Sequence, residues 1–321
     1  MTFVSDAAIA RLRGLEDHPD FAGTRYDVLD EIGRGGMGIV FRGRDRELGR
    51  EVAIKVTAWS TAAEADRLRR EARTLAALEH PGIVPVHDVG RLPDGRVFTV
   101  MMLVRGERLD VCAARLPLHD RLRLFDRICD AMSFAHARGV IHRDLKPANI
   151  MIGPFGQVLV LDWGLARPGS DPGAAHSGSD PDVVPGVAHP GSDPGLTPAT
   201  IHGGTDGYMA PEQVRGTVDA RSDVYALGAI LDGLSGESAS RLLRPLRSVV
   251  DRARRADPGA RYQTVADLAA DVRRFLDGAA VTAHKETVLE RTRRVARTYR
   301  TPIALVLAYL AMRGLLLFWR P

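Results

Sequence analysis

The sequence predicts an α+β chain, and three observations carry that prediction. Strand-like apolar runs crowd the start of the chain on either side of a glycine-rich turn. A helical period follows them, with Leu68, Ala72, Leu75 and Leu78 on one face of residues 64–78. Farther on, residues 155–161 alternate into a strand that ends on a carboxylate, Asp162.

Residues 1–25 mix Asp6, Arg11, Arg13, Glu16 and Asp17 with apolar side chains. They hold no long apolar h-region, and a short helix or a disordered lead is expected there. Tyr26–Ile32 reads as a strand entering the turn and Ile39–Phe41 as a strand leaving it. Between them stands Gly33-Arg34-Gly35-Gly36-Met37-Gly38-Ile39-Val40, a G-x-G-x-x-G-x-V pattern. Alone it is a weak signal, because any tight turn uses glycine. In this context a glycine hairpin lets backbone N–H groups approach phosphate oxygens closely. A helix after the glycines would instead suggest a dinucleotide site. Val52-Ala53-Ile54-Lys55 is an apolar strand ending in a lysine. Burying an unpaired ammonium costs several kcal/mol, so Lys55 calls for an acidic partner, and Glu64, Glu71 and Glu79 on the following helix are the candidates.

The run His142-Arg143-Asp144-Leu145-Lys146-Pro147-Ala148-Asn149 puts a carboxylate, an ammonium and a carboxamide on one short loop. Phosphoryl transfer needs those three groups together. Downstream come Asp162-Trp163-Gly164, then Gly204-Thr205-Asp206-Gly207-Tyr208-Met209-Ala210-Pro211-Glu212, then Ser222-Asp223-Val224-Tyr225-Ala226-Leu227-Gly228. With these motifs in order, the chain resembles the bacterial Hanks-type (eukaryotic-like) serine/threonine protein kinases over Tyr26–Leu276.

The resemblance implies a two-lobed fold with ATP in the cleft. A small antiparallel β lobe plus one helix would cover residues 26–102, and a larger, mostly helical lobe residues 103–277. Ile32, Gly33, Arg34, Gly35, Gly36, Met37, Gly38, Val40, Ala53, Lys55, Met101, Met102 and Val104 would line the ATP site. Met101 would gate the back of the adenine pocket and residues 102–104 would form the hinge; the alternative for the two methionines is core filler. Lys55 paired with Glu71 would position the α and β phosphates, leaving Glu64 and Glu79 as solvated charges. Asp144 would accept the proton of a substrate hydroxyl, Lys146 would neutralise charge on the moving phosphoryl group, and Asn149 with Asp162 would hold Mg2+ or Mn2+. Lys146 two residues after Asp144 implies protein substrates with serine or threonine acceptors. Thr205 would bridge Asp144 and Lys146. Glu212 would pair with Arg261, and Asp223 would anchor the backbone of the catalytic loop, both in structural roles. A homodimer is left open.

Several features depart from the family pattern. Trp163 replaces phenylalanine and is expected to pack under the helix bearing Glu71. Met102 stands where glutamate is frequent, and Asp206 where proline is common. Between Leu231 and Arg261 the chain is short for the usual lower-lobe helices, with Ser235–Ser240 reading as a loop. That shortening favours the alternative of a catalytically silent kinase-fold scaffold that binds nucleotide or partner proteins. The complete set Lys55, Glu71, Asp144, Asn149 and Asp162 argues against it.

Arg143 implies a basic pocket that awaits a phosphate on the activation segment. That segment, residues 165–204, carries a degenerate Gly-Ser-Asp-Pro repeat whose composition cannot pack a core, so disorder is expected. Thr197, Thr200 and Thr205 are its candidate autophosphorylation sites. His176 and His189 lack cysteine partners and are not read as metal ligands. Cys112 and Cys129 fall in predicted helices and read as buried apolar groups in a reducing compartment.

Residues 278–300 form a basic linker with Arg291, Arg293, Arg294, Arg297 and Arg300. Thr301–Trp319 is apolar and near the minimum length for a span, roughly 17–25 residues. A tail-anchored, single-pass protein in the cell membrane with its kinase domain in the cytoplasm is expected from the arginine bias. Arg313 opposes a span by ~2.5–3.5 kcal/mol at its centre, and a helix lying on anionic lipid ranks second, docking on a partner third. The sequence pI of 9.3 comes largely from these arginines and those of the lower-lobe helices. With no stacking platform or recognition helix, no nucleic-acid partner is expected.

Overall fold

In a computed structural model, the described residues are 19–35, 38–57, 69, 72–163, 167–168, 207–215, 218–236, 244–288, 290–292, 305–306 and 308–314. The first part is a five-stranded antiparallel sheet in the order β1-β2-β3-β5-β4. Its strands are β1 (Tyr26–Gly35), β2 (Gly38–Asp45), β3 (Arg50–Thr57), β4 (Val86–Arg91) and β5 (Val97–Met102). Period-two alternation gives this sheet two faces. Val52, Ile54 and Val56 join Tyr26, Ile39, Phe41, Phe98 and Val100 in one apolar core. The other face therefore carries the intervening residues. Val40 stands opposite Lys55, and Ala53 opposite Met101. Phe21 also belongs to the core and meets the Phe98 ring edge-on at 5.2 Å, so the end of the expected lead is folded onto the sheet.

Between β3 and β4 a helical turn at 72–76 buries Ala72, while Leu75 packs on the larger core. The chain then runs through β6 (Glu107–Arg108), α1 (Leu109–Ala114), α2 (Leu118–Ala137) and β7 (Val140–Ile141). A 3-10 turn (Pro147–Asn149) leads into β8 (Ile150–Ile152) and β9 (Val158–Val160). Beyond β10 (Arg167–Pro168), which pairs with β7, come α3 (Ala220–Ser235), α4 (Arg244–Ala253) and α5 (Val265–Leu276). Helix α2 buries Leu122, Phe125, Cys129 and Met132, a 3- and 4-residue spacing that makes one apolar stripe. That stripe shares a core with Val224, Leu227 and Leu231 of α3, Val249 of α4 and Leu268 and Val272 of α5. Both cysteines are free and lie on α1 and α2.

Three expectations change. The strand expected over 155–161 is only Val158–Val160: Pro154–Phe155 form a turn, Gly156 takes φ +75°, and Phe155 is 88% exposed. The short interval after Leu231 still holds a helix, because α3 continues to Ser235 and α4 adds ten residues. The large lobe also packs beyond residue 277. Buried Asp271 accepts from Thr282 N at 2.8 Å, Thr282 Oγ1 at 2.6 Å and Ala283 N at 3.1 Å, and Val281 enters the core.

Of the expected C-terminal apolar helix, residues 305–306 and 308–314 are described; they are helical and exposed. Among the described residues, no helix is long and apolar enough to cross a membrane. Apart from Arg167–Pro168, the activation segment lies outside the described residues, as do Thr197, Thr200, Thr205, Glu71, Gly36 and Met37.

Candidate active site

The loop after β7 is held from below by one buried carboxylate. Asp223, near the start of α3, is 1% exposed. Its Oδ2 accepts from His142 N at 2.9 Å and its Oδ1 from Arg143 N at 2.9 Å. His136 Nε2 lies 2.8 Å from Oδ2. Burial would raise the Asp223 carboxyl, but the hydrogen bond and charge of His136 and the backbone donor at His142 hold it below the usual carboxylate range. These donors let the chain turn sharply at Arg143, whose φ is +70°. A left-handed backbone at a non-glycine residue costs of order 1–3 kcal/mol and persists only where its surroundings enforce it.

His142 is 0% exposed and ties this loop to the strand before Asp162. Its Nδ1 lies 3.3 Å from the backbone N–H of Asp144, which donates to it, so Nε2 carries the proton and donates to Leu161 O at 2.9 Å. The Trp163 ring lies tilted against the imidazole with centroids 4.6 Å apart, and its indole N–H donates to Val160 O. Trp163 is buried in the larger core.

Asp144, Lys146 and Asn149 converge. Lys146 Nζ is 2.8 Å from Asp144 Oδ2. Asn149 Nδ2 donates to Asp144 O at 2.8 Å and reaches Oδ2 at 3.2 Å. With its nitrogen so engaged, the amide keeps Oδ1 as the end able to face a cation. Asn149 O accepts from Leu161 N at 2.8 Å, and the β8–β9 register pairs Ile150 with Val160, so Asn149 and Asp162 are brought to neighbouring positions. Among the described residues, no cluster of three or more His, Cys, Asp or Glu forms a metal cage. A carboxamide and a carboxylate suit a hard cation that shares its coordination with phosphate oxygens and water.

Lys55 forms an ion pair with Asp162, whose side chains are 16% and 35% exposed. The structure thus joins two groups to which the sequence assigns different partners. Burial would raise the Asp162 carboxyl, but the Lys55 ammonium holds it low. Asp162 also takes φ +56°, the second left-handed non-glycine residue of the site. Above it, the β1–β2 hairpin closes with Gly35 opposite Gly38. A Cβ at Gly38 would stand 2.0 Å from Val56 O, at φ +137°, so only glycine fits there. Ala53 is buried, whereas Ile32 and Arg34 are exposed on the hairpin. Met102 N donates to Pro85 O at 3.0 Å, and Met101, Met102 and Val104 pack on the larger core.

Below the loop, Arg261 is 0% exposed at its side chain and grips Glu212 through two nitrogens, at 2.6 and 2.7 Å. Ser222 Oγ adds a third contact to Glu212 at 2.9 Å. Sequence reasoning missed His136 and Gln213, and the anchoring role of His142, all of which hold this loop. Asp223 lies 87 residues from His136 and Arg143 lies 70 from Gln213, and no local pattern marks such pairings.

The description "protein kinase domain" is that of the family profile matching residues 26–241. Serine/threonine-protein kinase PknB of Mycolicibacterium smegmatis is 36% identical over 314 residues, covering 87% of this chain and 47% of that protein. PknB of Mycobacterium tuberculosis is 36% identical over 310 residues, covering 85% of this chain and 46% of that protein. Serine/threonine-protein kinase PknA of Mycobacterium tuberculosis is 42% identical over 153 residues, covering 44% of this chain and 36% of that protein. The chain therefore spans about half the length of the PknB relatives.

Proposed function

Because this chain belongs to the protein kinase family, in its bacterial Hanks-type serine/threonine branch, we propose that it transfers the γ-phosphoryl group of ATP to serine or threonine hydroxyls of proteins. The observation that carries this reading is the convergence of Lys146 and Asn149 on the Asp144 carboxylate.

The substrate hydroxyl would donate its proton toward Asp144, while Lys146 at 2.8 Å from the same carboxylate screens charge on the transferring phosphoryl group. The sheet face bearing Val40, Ala53 and Met101 would receive the adenine and ribose. Lys55 would exchange its contact with Asp162 for the α and β phosphates, with Glu71 as its expected helix partner. That exchange would free Asp162 to join Asn149 in holding Mg2+ or Mn2+, which when bound neutralises phosphate charge. The rate gain would come mainly from alignment and electrostatics, because the transition state is loose.

Autophosphorylation at Thr197, Thr200 or Thr205 belongs to the same reading. Its support is the basic residue Arg143 beside Asp144 and the threonines between it and the Ala210-Pro211-Glu212 anchor. Membrane attachment through residues 301–319 rests on the apolar run and the five arginines before it.

Incubation of the full chain with Mg2+ and labelled ATP tests the activity. Wild type should incorporate phosphate into itself and into casein, and Asp144→Asn should lose at least about a hundredfold of that rate while still binding ATP. An Asp144→Asn variant as fast as wild type would sink the assignment of the proton acceptor. Two inactive proteins that both bind ATP would favour the scaffold.

A further inference from the structure

We infer that Gln213 is a positioning residue for phosphoryl transfer, coupling the seated end of the activation segment to the peptide that carries Asp144. The inference rests on the reading of Asp144 as proton acceptor.

Gln213 opens the 3-10 turn Gln213–Arg215, just past Ala210-Pro211-Glu212. It closes a small ring with Ala210. Its own N–H donates to Ala210 O at 3.0 Å, and its Oε1 accepts from Ala210 N at 2.9 Å. With Oε1 so fixed, Nε2 must face away, and it donates to Arg143 O at 2.8 Å. The amide orientation is unambiguous, because Ala210 N–H can only donate and Arg143 O can only accept.

Arg143 O and Asp144 N belong to one planar peptide unit. Gln213 holds the oxygen edge of that plane, and His142 Nδ1 lies 3.3 Å from the N–H on the opposite edge. The unit starts from Arg143 at φ +70°, a conformation that relaxes once its restraints go. Asp223 restrains the preceding N–H and belongs to α3. Gln213 restrains the following carbonyl and belongs to the segment that ends the activation loop. The direction of the Asp144 side chain is therefore set in part by whether residues 207–213 are in place. A shift of that segment moves the carboxylate without touching Lys55 or the nucleotide face.

Two variants separate this coupling from simple folding. Gln213→Glu keeps the shape and the acceptor for Ala210 N–H and sets an oxygen against Arg143 O. Gln213→Met keeps the length and removes both bonds. Steady-state kinetics of the full chain on casein, with Asp144→Asn alongside, should show kcat lowered by about ten- to a hundredfold in both variants. KM for ATP should stay within about twofold, and the unfolding temperature within a few degrees. Wild-type kcat in Gln213→Glu and Gln213→Met, with Asp144→Asn inactive, would overturn the inference and leave the proton acceptor standing. A joint loss of ATP affinity, kcat and unfolding temperature in both would overturn it too, by showing a folding role alone. An Asp144→Asn variant that turns over normally would instead remove the reading on which the inference rests.

Discussion

Single carboxylates organise the active region. Asp223 collects two backbone donors and a histidine, and Glu212 collects two guanidinium nitrogens and a hydroxyl. Burial alone would raise both carboxyls, yet their donors hold both below the usual range. A depressed carboxyl binds its proton more weakly in the folded chain than in the unfolded one. Its contribution is therefore whole above the unfolded value, near 4, and is lost as pH falls through the folded value. Urea midpoints measured from pH 7 downward should hold to about pH 5 and drop steeply below about pH 4. Asp223→Asn should be less stable at pH 7 and show a shallower acid slope. An acid slope equal to wild type in that variant would show that Asp223 contributes nothing to the pH dependence.

Elements meet this need for donors in different ways. The sheet uses alternation, so β3 buries Val52, Ile54 and Val56 and turns Ala53 and Lys55 to the cleft face. Helix α5 instead uses Asp271, 0% exposed, to capture the segment after it. Tyr262 Oη also donates to that carboxylate, at 2.8 Å. A chain ending at residue 277 would strip Thr282 and Ala283 from Asp271 and take Val281 from the core. It should be less stable than one ending at residue 284 by roughly 2–5 kcal/mol, from an under-satisfied buried carboxylate and lost apolar burial. Equal denaturation midpoints for the two chains would show that the lobe ends at α5.

At the scale of the molecule, the kinase domain is followed by a strongly basic segment and an apolar run. The proposed attachment through that run predicts that the full chain, but not a chain ending at residue 284, sediments with lipid vesicles. Binding that persists in neutral lipid at high salt would match a span or deep insertion, since surface attraction is screened within about a Debye length of 8–10 Å. Binding only to anionic vesicles, released by salt, would match a helix lying on the surface. Failure of the full chain to bind either kind of vesicle would remove the membrane from the account.

The sequence by itself determined the family, the first three strands of the sheet around the glycine turn, and the three polar groups of the catalytic loop. Each depends on neighbours within a few residues, where period, glycine and motif spacing are readable. It also pointed to Glu212–Arg261 and Asp223, through the resemblance. The tertiary structure alone decided that Lys55 meets Asp162 from 107 residues away, that Gln213 reaches Arg143 across 70, and that Asp271 holds the chain beyond α5. It also shortened the strand before Asp162, because the Pro154–Phe155 turn consumes the residues whose alternation suggested more. Such contacts are chosen by which donors and acceptors are left unpaired when the two cores close. That choice is made in three dimensions and leaves no period along the chain.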